Sequence, residues 1–443
     1  MAMVVKNNMS AINTLNTLNK NSAALTKSLG KVSSGMRING AADDASGYAI
    51  SERMRVQIRS LDQDNRNTQN GNSMMKVAEG AVSSTVEILK TLKEKVINAA
   101  NDTNTDEDRA TIQKELDQSI DQINDNANVT YNGKYLVDGS KHSKYNETST
   151  VLTNQSMSTA TTGASGLTAL KSRTDEDLNI HSTDRVTVSY VKQGKTYTTT
   201  FSVGTNTISD MLGKTAYFGS ETLSNAFKTG GDIRTTGTIG TDGNSNTVYT
   251  ASRENAVSIQ AKTGGTVGQI AGFTISITDN TGKVNKSANA VLDNFNETIR
   301  AENEYKNDDA LVLQVGTKAN QSIKVSLTDM RAEALGLKGT DGSTLNVGNQ
   351  KNANAAINVL DNAIQKALDQ QTTIGSIESR LEYTSSNLTT ASENVTASES
   401  TIRDADMAKE MTEYTKNNVL LQAAQSMLSQ ANQNSSAVLS LLQ

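Results

Sequence analysis

The chain of 443 residues contains no cysteine, no proline and no tryptophan, and His142 and His181 are its two histidines. Without cysteine there can be no disulfide, thiolate nucleophile, iron–sulfur cluster or Cys-bound zinc. Two histidines leave little room for a His-based zinc site or a His-centred triad. Without proline there is no slow X–Pro isomerisation during folding and no built-in helix breaker. Hydrophobic residues make up 35% and aromatic residues 4% of the chain, below the usual apolar share of about 45–50%. The net charge of −5 is spread over both signs, so there is no polybasic field for nucleic acid. No run of 18 apolar residues occurs that could span a bilayer, and the first residues, MAMVVKNNMS, hold too short an apolar stretch for a signal peptide. These absences disfavour most enzyme classes and leave a scaffold or interaction protein, with no catalytic residue, cofactor or metal site expected.

What is present divides the chain into two helical ends and a different middle. Of the 30 glycines, eight lie in residues 1–139, one (Gly375) in 349–443, and the other twenty-one between 140 and 348. Glycine punctuates regular structure, so the C-terminal stretch can stay helical for a long way. Leu15, Leu18, Ser22, Leu25, Leu29, Val32 and Met36 are spaced alternately three and four apart. The same spacing links Met75, Ala78, Val82, Thr85, Leu89, Leu92, Val96 and Ala99, and again Leu381, Thr384, Leu388, Ala391, Val395, Ser398 and Ile402. Tyr414, Leu421, Leu428 and Leu442 continue it at multiples of seven, flanked by Ala424, Ala431 and Val438. A 3.5-residue period is a coiled-coil seam, because it keeps one stripe facing a partner helix. A shorter helix is expected at about 107–127 from Ile112, Leu116, Ile120 and Ile123, with Thr105 and Asp108 as its capping box. A lone terminal helix has nothing to bury its stripe against, so both ends are expected to be disordered in a monomer and to fold against neighbouring subunits.

The middle alternates with a period of two. Residues 185–203, 270–286 and 311–327 each read as a β-hairpin, the first around a Gln-Gly-Lys turn and the second around Asn-Thr-Gly. Short helical patches are expected near 207–213, 221–228 and 288–304. Thr, Ser, Asn and Gly dominate 140–270, which reads as solvated strands and loops, with disorder the alternative for 148–170 and 230–250.

Candidate chemistry is sparse. Asp102 to Asp108 imitates the start of a calcium loop but has Glu107 where glycine is needed and Gln113 where glutamate is needed. Asp43 and Asp44 are adjacent carboxylates without a defined acid/base partner, readable as an anion pair facing Arg37 or Arg53. No His-Glu-x-x-His is present for a zinc protease, and Gly230-Gly231 and Gly264-Gly265 lack the lysine of a phosphate loop. Sequons such as Asn146 and Asn154 carry no weight by themselves.

Residues 33–55, SSGMRINGAADDASGYAISERMR, resemble the most distinctive stretch of bacterial flagellin. The segments at 84–101 (STVEILKTLKEKVINAAN), 111–140, 360–383 and 399–443 (ESTIRDADMAKEMTEYTKNNVLLQAAQSMLSQANQNSSAVLSLLQ) are similar to that family as well. The likeness covers roughly 1–140 and 305–443. It implies a mainly α fold: a long antiparallel helical-bundle or coiled-coil shaft formed by both chain ends, with a β-hairpin and an inserted, β-rich α+β outer domain. It divides the chain into terminal helices of an inner filament layer (1–44 and 402–443, with a connector at about 33–46), a shaft (45–140 and 305–401, with the hairpin at 311–337) and an insertion (141–304).

The resemblance also implies a function. Such a subunit is exported unfolded through the flagellar type III apparatus and polymerises into the extracellular motility filament. The alternative is a hook–filament junction protein or another type III-secreted coiled-coil protein. The residues expected to drive assembly are Leu15, Leu18, Leu25, Leu29, Val32, Met36, Tyr414, Leu421, Leu428, Val438, Leu439 and Leu442, with Arg37, Asn39, Asp43 and Asp44 in the connector. Expected partners are further copies of the chain, an export chaperone, cap and junction proteins, and host Toll-like receptor 5. The receptor-facing positions matching the family motif are Leu89, Lys90, Leu92, Lys93, Glu94 and Glu115. Thr91 stands where arginine is common in strongly stimulatory members, and Lys95 where an apolar residue is common. The alternative for Leu89 and Leu92 is burial in the seam, with Lys90, Lys93 and Glu94 forming a solvated face. The stretch VLSLL at 438–442 is similar to the segment read by cytosolic NAIP-type receptors, although Gln443 stands where others carry arginine.

Overall fold

A computed structural model describes residues 8–144, 148–213, 226–228, 237–241, 246–250 and 253–441, without the side chains of Thr241, Ser435 and residues 437–441. Two compact units make up the chain. The first comprises Met1–Thr68, Gln314–Gln321 and Tyr383–Gln443, and the second Gln69–Leu313 and Ser322–Glu382.

In the first unit, helix α1 (Met9–Ser34) starts where the Asn8 side chain accepts from the Ala11 amide at 3.0 Å. It stops at Gly35, whose φ of 70° suits glycine and lets its amide close on the Lys31 carbonyl. The long helix α2 (Ala45–Ala99) and the C-terminal helices Gln350–Arg403 and Met407–Leu441 complete the helical frame. α1 runs antiparallel to the last of these: Asn8 donates to the Ala431 carbonyl, Asn21 to that of Leu420, and Lys31 pairs with Glu410. α2 runs antiparallel to Gln350–Arg403, with Ser385 donating to Asn65 at 2.6 Å and Ser392 to Asp62 at 3.1 Å. Each terminal helix is thus paired with the other within the chain.

In the second unit, all eight seam residues from Met75 to Ala99 are buried. The C-terminal seam is buried at Leu381 in this unit; its continuation in the first unit is buried at Leu388 and fades to half-exposed Val395 and exposed Ser398. Helix α3 (Asp106–Ala127) has the expected capping box at Thr105 and Asp108 and buries Leu116, Ile120 and Ile123. The hairpin expected at 311–327 is the strand pair Leu311–Gln314 with Ser322–Val325.

The middle of the chain holds two three-stranded antiparallel sheets. In the first, Arg185–Lys192 lies between Lys195–Ser202 and Ile270–Thr278. Its hairpin is the one expected at 185–203, turning through Gln193 and Gly194 at φ of 51° and 72°, the left-handed pair that a two-residue turn requires. Residues 270–286, by contrast, are not a self-paired hairpin. They give one strand paired to Arg185–Lys192, and a single bridge from Thr278 to Val284 is all that remains of the return arm. The helical patch near 207–213 is present as Ile208–Gly213. That near 288–304 is a helix over Lys286–Leu292 followed by a strand, Phe295–Ile299. The patch near 221–228 lies almost wholly outside the described residues.

Residues 148–170, for which disorder was the alternative, contain Val151–Asn154, the central strand of the second sheet and buried throughout. Polar composition misleads there because the hydroxyls and amides satisfy one another. Thr298 donates to the Thr153 hydroxyl at 2.6 Å, and Asn154 to the Val291 carbonyl at 2.8 Å. Within 230–250, strands Thr238–Thr241 and Thr247–Tyr249 pair, and the remainder is largely outside the described residues. The core of this region carries a chain of edge-to-face aromatic contacts, Tyr190 to Phe227, Phe227 to Phe273 and Phe273 to Phe295, with centroids 5.0–5.5 Å apart.

The sheet region and the helices of the second unit are tied directly. The strand Ile270–Thr278 has one edge free of a neighbouring strand, and its carbonyls at Ala271 and Phe273 accept from Asn362 (2.8 Å) and Asn358 (3.2 Å) on the helix Gln350–Arg403. The hairpin tip meets the loop before that helix, where Ser343 donates to the Gln193 carbonyl at 2.8 Å and Lys195 pairs with Asp341.

Candidate functional site

The expected assembly residues fall on two stripes of the terminal helix pair. On Met407–Leu441, hereafter αC, the expected seam residues Tyr414, Leu421, Ala424, Leu428 and Ala431 are less exposed and lie on the side turned to α1, together with Glu410 and Asn417, which the seam did not include. On α1 the expected seam divides. Leu18, Leu25 and Val32 are half-buried along the paired face, while Leu15 and Leu29 are 45% and 50% exposed. The paired face keeps the seven-residue period but in another register: Ala11, Thr14, Leu18, Asn21, Leu25, Ser28 and Val32 are among the less exposed positions, so Leu15, Ser22 and Leu29 fall to one side of it. Asn417 also donates to the buried Ser28 hydroxyl at 3.0 Å, so the pair interface is part polar. Met36 is half-buried in the connector. Leu442 and the side chains of Val438 and Leu439 lie outside the described residues.

A second, outward apolar set was not anticipated from the heptads. Met9, Ile12, Met411, Val419, Leu420 and Met427 are exposed, Met427 by 63%. The signal was the apolar pair Val419-Leu420 beside the seam residue Leu421, which places hydrophobic surface on more than one face of a helix. The terminal helices thus carry both a stripe that joins them to each other and apolar surface left over.

The connector between α1 and α2 is cross-braced. Asp43 pairs with Lys27 at 2.9 Å and accepts from the Asn39 amide. Asn39 donates its side-chain amide to the Gly30 carbonyl at 3.1 Å. Asp44 accepts from the amides of Ser46 and Gly47, capping the start of α2. The two carboxylates therefore do not form an anion pair facing Arg37 or Arg53: Arg37 donates to the Ile402 carbonyl and Arg53 to that of Ala49. Residues 35–37 lie against 403–405, with the Arg37 amide on the Arg403 carbonyl (2.7 Å) and the Ala405 amide on the Gly35 carbonyl (3.0 Å).

Sequence reasoning passed over Arg403. Its buried guanidinium donates to Glu52 at 2.6 Å, reaches Met36 Sδ at 3.2 Å and the Ser51 hydroxyl at 3.5 Å, and lies 5.4 Å from the centre of the Tyr48 ring. The available signal was a basic residue at the end of a long helix.

Two carboxyls here are held below their ordinary range, Asp43 first by its hydrogen bond from Lys27 and Glu52 first by that from Arg403. A depressed folded-state pKa adds stability that is present above the unfolded value and lost as pH falls through the folded one. The connector is therefore expected to loosen as pH drops below about 4, the ordinary carboxylate range. Acid titration followed by amide exchange at residues 35–52 checks this. Glu52→Gln should flatten the response around Arg403, and an unchanged profile would contradict the assignment.

Of the receptor-facing positions, Leu89 and Leu92 are buried in the seam, at 0% and 2% exposure, and so are not surface residues. Lys90, Thr91, Glu94 and Glu115 are exposed and Lys93 is half-buried. Lys90 pairs with Glu87, Lys93 with Asp361, and Lys95 with Glu115 at 3.1 Å. Thr91 spends its hydroxyl on the Glu87 carbonyl.

The imitation calcium loop is a helix junction. Arg109, itself buried, donates to the carbonyls of Ala99 and Asn101 and to the Asp106 carboxylate, closing the end of α2 against the start of α3. No group of three or more His, Cys, Asp or Glu able to hold a metal occurs among the described residues.

Residues 5–142 match the family model for the bacterial flagellin N-terminal helical region, and residues 357–442 match that for the C-terminal helical region. The chain is 34% identical to a flagellin of Clostridium tyrobutyricum over 97% of its own length and 99% of that protein's. It is 29% identical to the flagellin of Bacillus subtilis strain 168 over 99% and 100%. Among solved structures, a flagellar hook-associated protein-3 of Legionella pneumophila superposes with a TM-score of 0.34 at 13% identity, covering 78% of this chain and 97% of that one. FliC of Burkholderia pseudomallei does so with a TM-score of 0.25 at 17% identity, covering 70% and 99%.

Proposed function

The chain belongs to the bacterial flagellin family, a family of flagellar filament subunits, and from that premise we propose how this sequence carries out assembly and what it meets. It is exported unfolded by the flagellar type III apparatus, with a chaperone, and joins the filament outside the cell beneath cap and junction proteins. Residues 1–44 and 402–443 form the inner layer, 45–140 and 305–401 the shaft, and 141–304 the outermost part. The observation that carries this reading is the apolar surface left exposed on the paired terminal helices. Met9, Ile12, Leu15 and Leu29 on α1, with Met411, Val419, Leu420 and Met427 on αC, stay exposed after the two helices pair. Identical subunits that meet head to tail through such surface, without closing a ring, grow a helical filament.

Electron microscopy of monomers, heated, cooled and mixed with preformed seeds, tests the reading. Long filaments are expected. Short caps or rings only would favour a junction protein, and no growth from any seed would remove the filament reading.

The exposed residues Lys90, Thr91, Glu94 and Glu115, with half-buried Lys93, are the surface for Toll-like receptor 5, while VLSLL at 438–442 serves NAIP-type receptors. The Lys95–Glu115 pair engages Glu115 within the chain, which weakens its availability to a receptor. Thr91 lacks the planar, bidentate reach of arginine. Thr91→Arg is therefore expected to tighten receptor binding about tenfold, the equivalent of about 1.4 kcal/mol. A binding titration that leaves the affinity unchanged would take Thr91 out of the interface.

A further inference from the structure

We propose that Arg403 is a positioning residue for polymerisation: its guanidinium fixes the direction in which the terminal helices leave the shaft, and through that direction sets the rate and shape of filament growth. The inference rests on the filament role of the family.

Arg403 is the last residue of the helix Gln350–Arg403, and Asp404 to Asp406 separate it from αC. Two crossings between inner and outer helices therefore run side by side at this point, residues 35–44 in one direction and 404–406 in the other. The backbone bridge of 35–37 with 403–405 joins them. Two hydrogen bonds on a short bridge leave rotation about it open, and a side chain must set the angle. Arg403 reaches Glu52 and Ser51 on α2, Met36 in the connector and the Tyr48 ring at once. The other ion pairs nearby join fewer parts: Lys31–Glu410 holds α1 to αC, and Lys27–Asp43 holds α1 to the connector.

The chemistry suits a fixed angle. The guanidinium is a rigid, planar fork that can satisfy several acceptors in set directions, whereas a lysine ammonium is a point charge on a flexible stem. The Arg403 side chain is 7% exposed and Glu52 is 40% exposed, so the pair is anchored at one end and hydrated at the other. The shaft below does not depend on it for burial, because Leu61, Leu381 and Leu388 supply that. Loss of the fork should therefore leave the monomer folded and let the terminal helices point in many directions, of which few match the end of a growing filament.

The test uses full-length monomers added to wild-type seeds, with elongation rate, filament shape by electron microscopy and monomer unfolding midpoint all measured. Arg403→Gln is expected to elongate about tenfold more slowly, a change of about 1.4 kcal/mol in the barrier, with altered filament curvature and only a small fall in the unfolding midpoint. Arg403→Lys should fall between Arg403→Gln and wild type. Glu52→Gln, a change at a half-hydrated position, should slow growth in the same sense. The double variant should be no slower than Arg403→Gln alone, since both act through one contact. Wild-type rate and shape in both Arg403 variants would overturn the proposal. So would a midpoint that falls in step with the rate across the series, which is what a purely stabilising residue would give. Failure of the wild-type monomer itself to elongate would instead overturn the filament role and this inference with it.

Discussion

Leu421→Asp is expected to abolish growth of filaments from wild-type seeds. Leu421 sits midway along the αC seam, half-buried toward α1 with the buried Ala424 one turn on. The substitution removes apolar burial of about 1.5–3 kcal/mol. It also places a carboxylate in the half-buried stripe, where the nearby polar contacts are the neutral Asn21–Leu420 and Asn417–Ser28 hydrogen bonds. On the proposed assembly, a subunit is incorporated only if α1 and αC stay paired while the outward apolar surface meets its neighbours, so the damage falls on the elongating state. A loss of about 3 kcal/mol raises the concentration needed for growth more than a hundredfold. Sedimentation of polymer after seeding measures it. Leu421→Met, which conserves volume, should grow at close to the wild-type rate, and growth of Leu421→Asp at ordinary monomer concentrations would contradict the role assigned to the seam.

Gly272→Val carries the second large effect, on stability and not on assembly. Gly272 lies in the strand Ile270–Thr278, where the chain passes against the helix Gln350–Arg403. A Cβ there would stand 2.7 Å from Val359 Cγ2, 3.1 Å from the Val359 amide nitrogen and 3.2 Å from the Ala355 carbonyl oxygen. Two of these are helix backbone, which cannot rotate away. Overpacking of this kind costs typically about 1–3 kcal/mol, and displacing the strand also breaks the Asn358 and Asn362 hydrogen bonds, worth about 1 kcal/mol each. The second unit should lose about 3–5 kcal/mol in total. Thermal unfolding should show a lowered midpoint, and amide exchange should rise along Ile270–Thr278 while α1 and αC remain as in wild type. An unchanged midpoint would mean that the sheet region does not depend on its contact with the helix.

The same contact explains why the sheet region was hard to foresee. A Thr, Ser, Asn and Gly composition reads as solvated loops when taken residue by residue. Yet all five phenylalanines of the chain, Phe201, Phe218, Phe227, Phe273 and Phe295, fall between 141 and 304. That concentration was the available sign of a core, and three of them form the edge-to-face chain with Tyr190. The strand at 270–278 was found, but its partner was misassigned. Alternation reveals a strand and one of its faces, and nothing in it says whether the pairing is to the next residues or to a strand eighty residues earlier.

The sequence by itself determined the long helices, their seven-residue period and the capping box of α3. A 3.5-residue period, the lack of proline and the Thr105–Asp108 capping box are local properties, fixed by backbone geometry within a turn or two. It also determined the class of function, through the long terminal segments that match the flagellin regions. Only the tertiary structure decided which seam residues are covered and which remain available, since apolar residues lie on more than one side of the helix and a partner covers only one of them, here the face of Leu18, Leu25 and Val32. Leu89 and Leu92 moved into the core, Leu15 and Leu29 moved to the surface, and Arg403 met the connector and the start of α2, which lie about 350 residues or more before it in the chain. Such contacts depend on where two distant crossings come to lie side by side, and no local pattern encodes that.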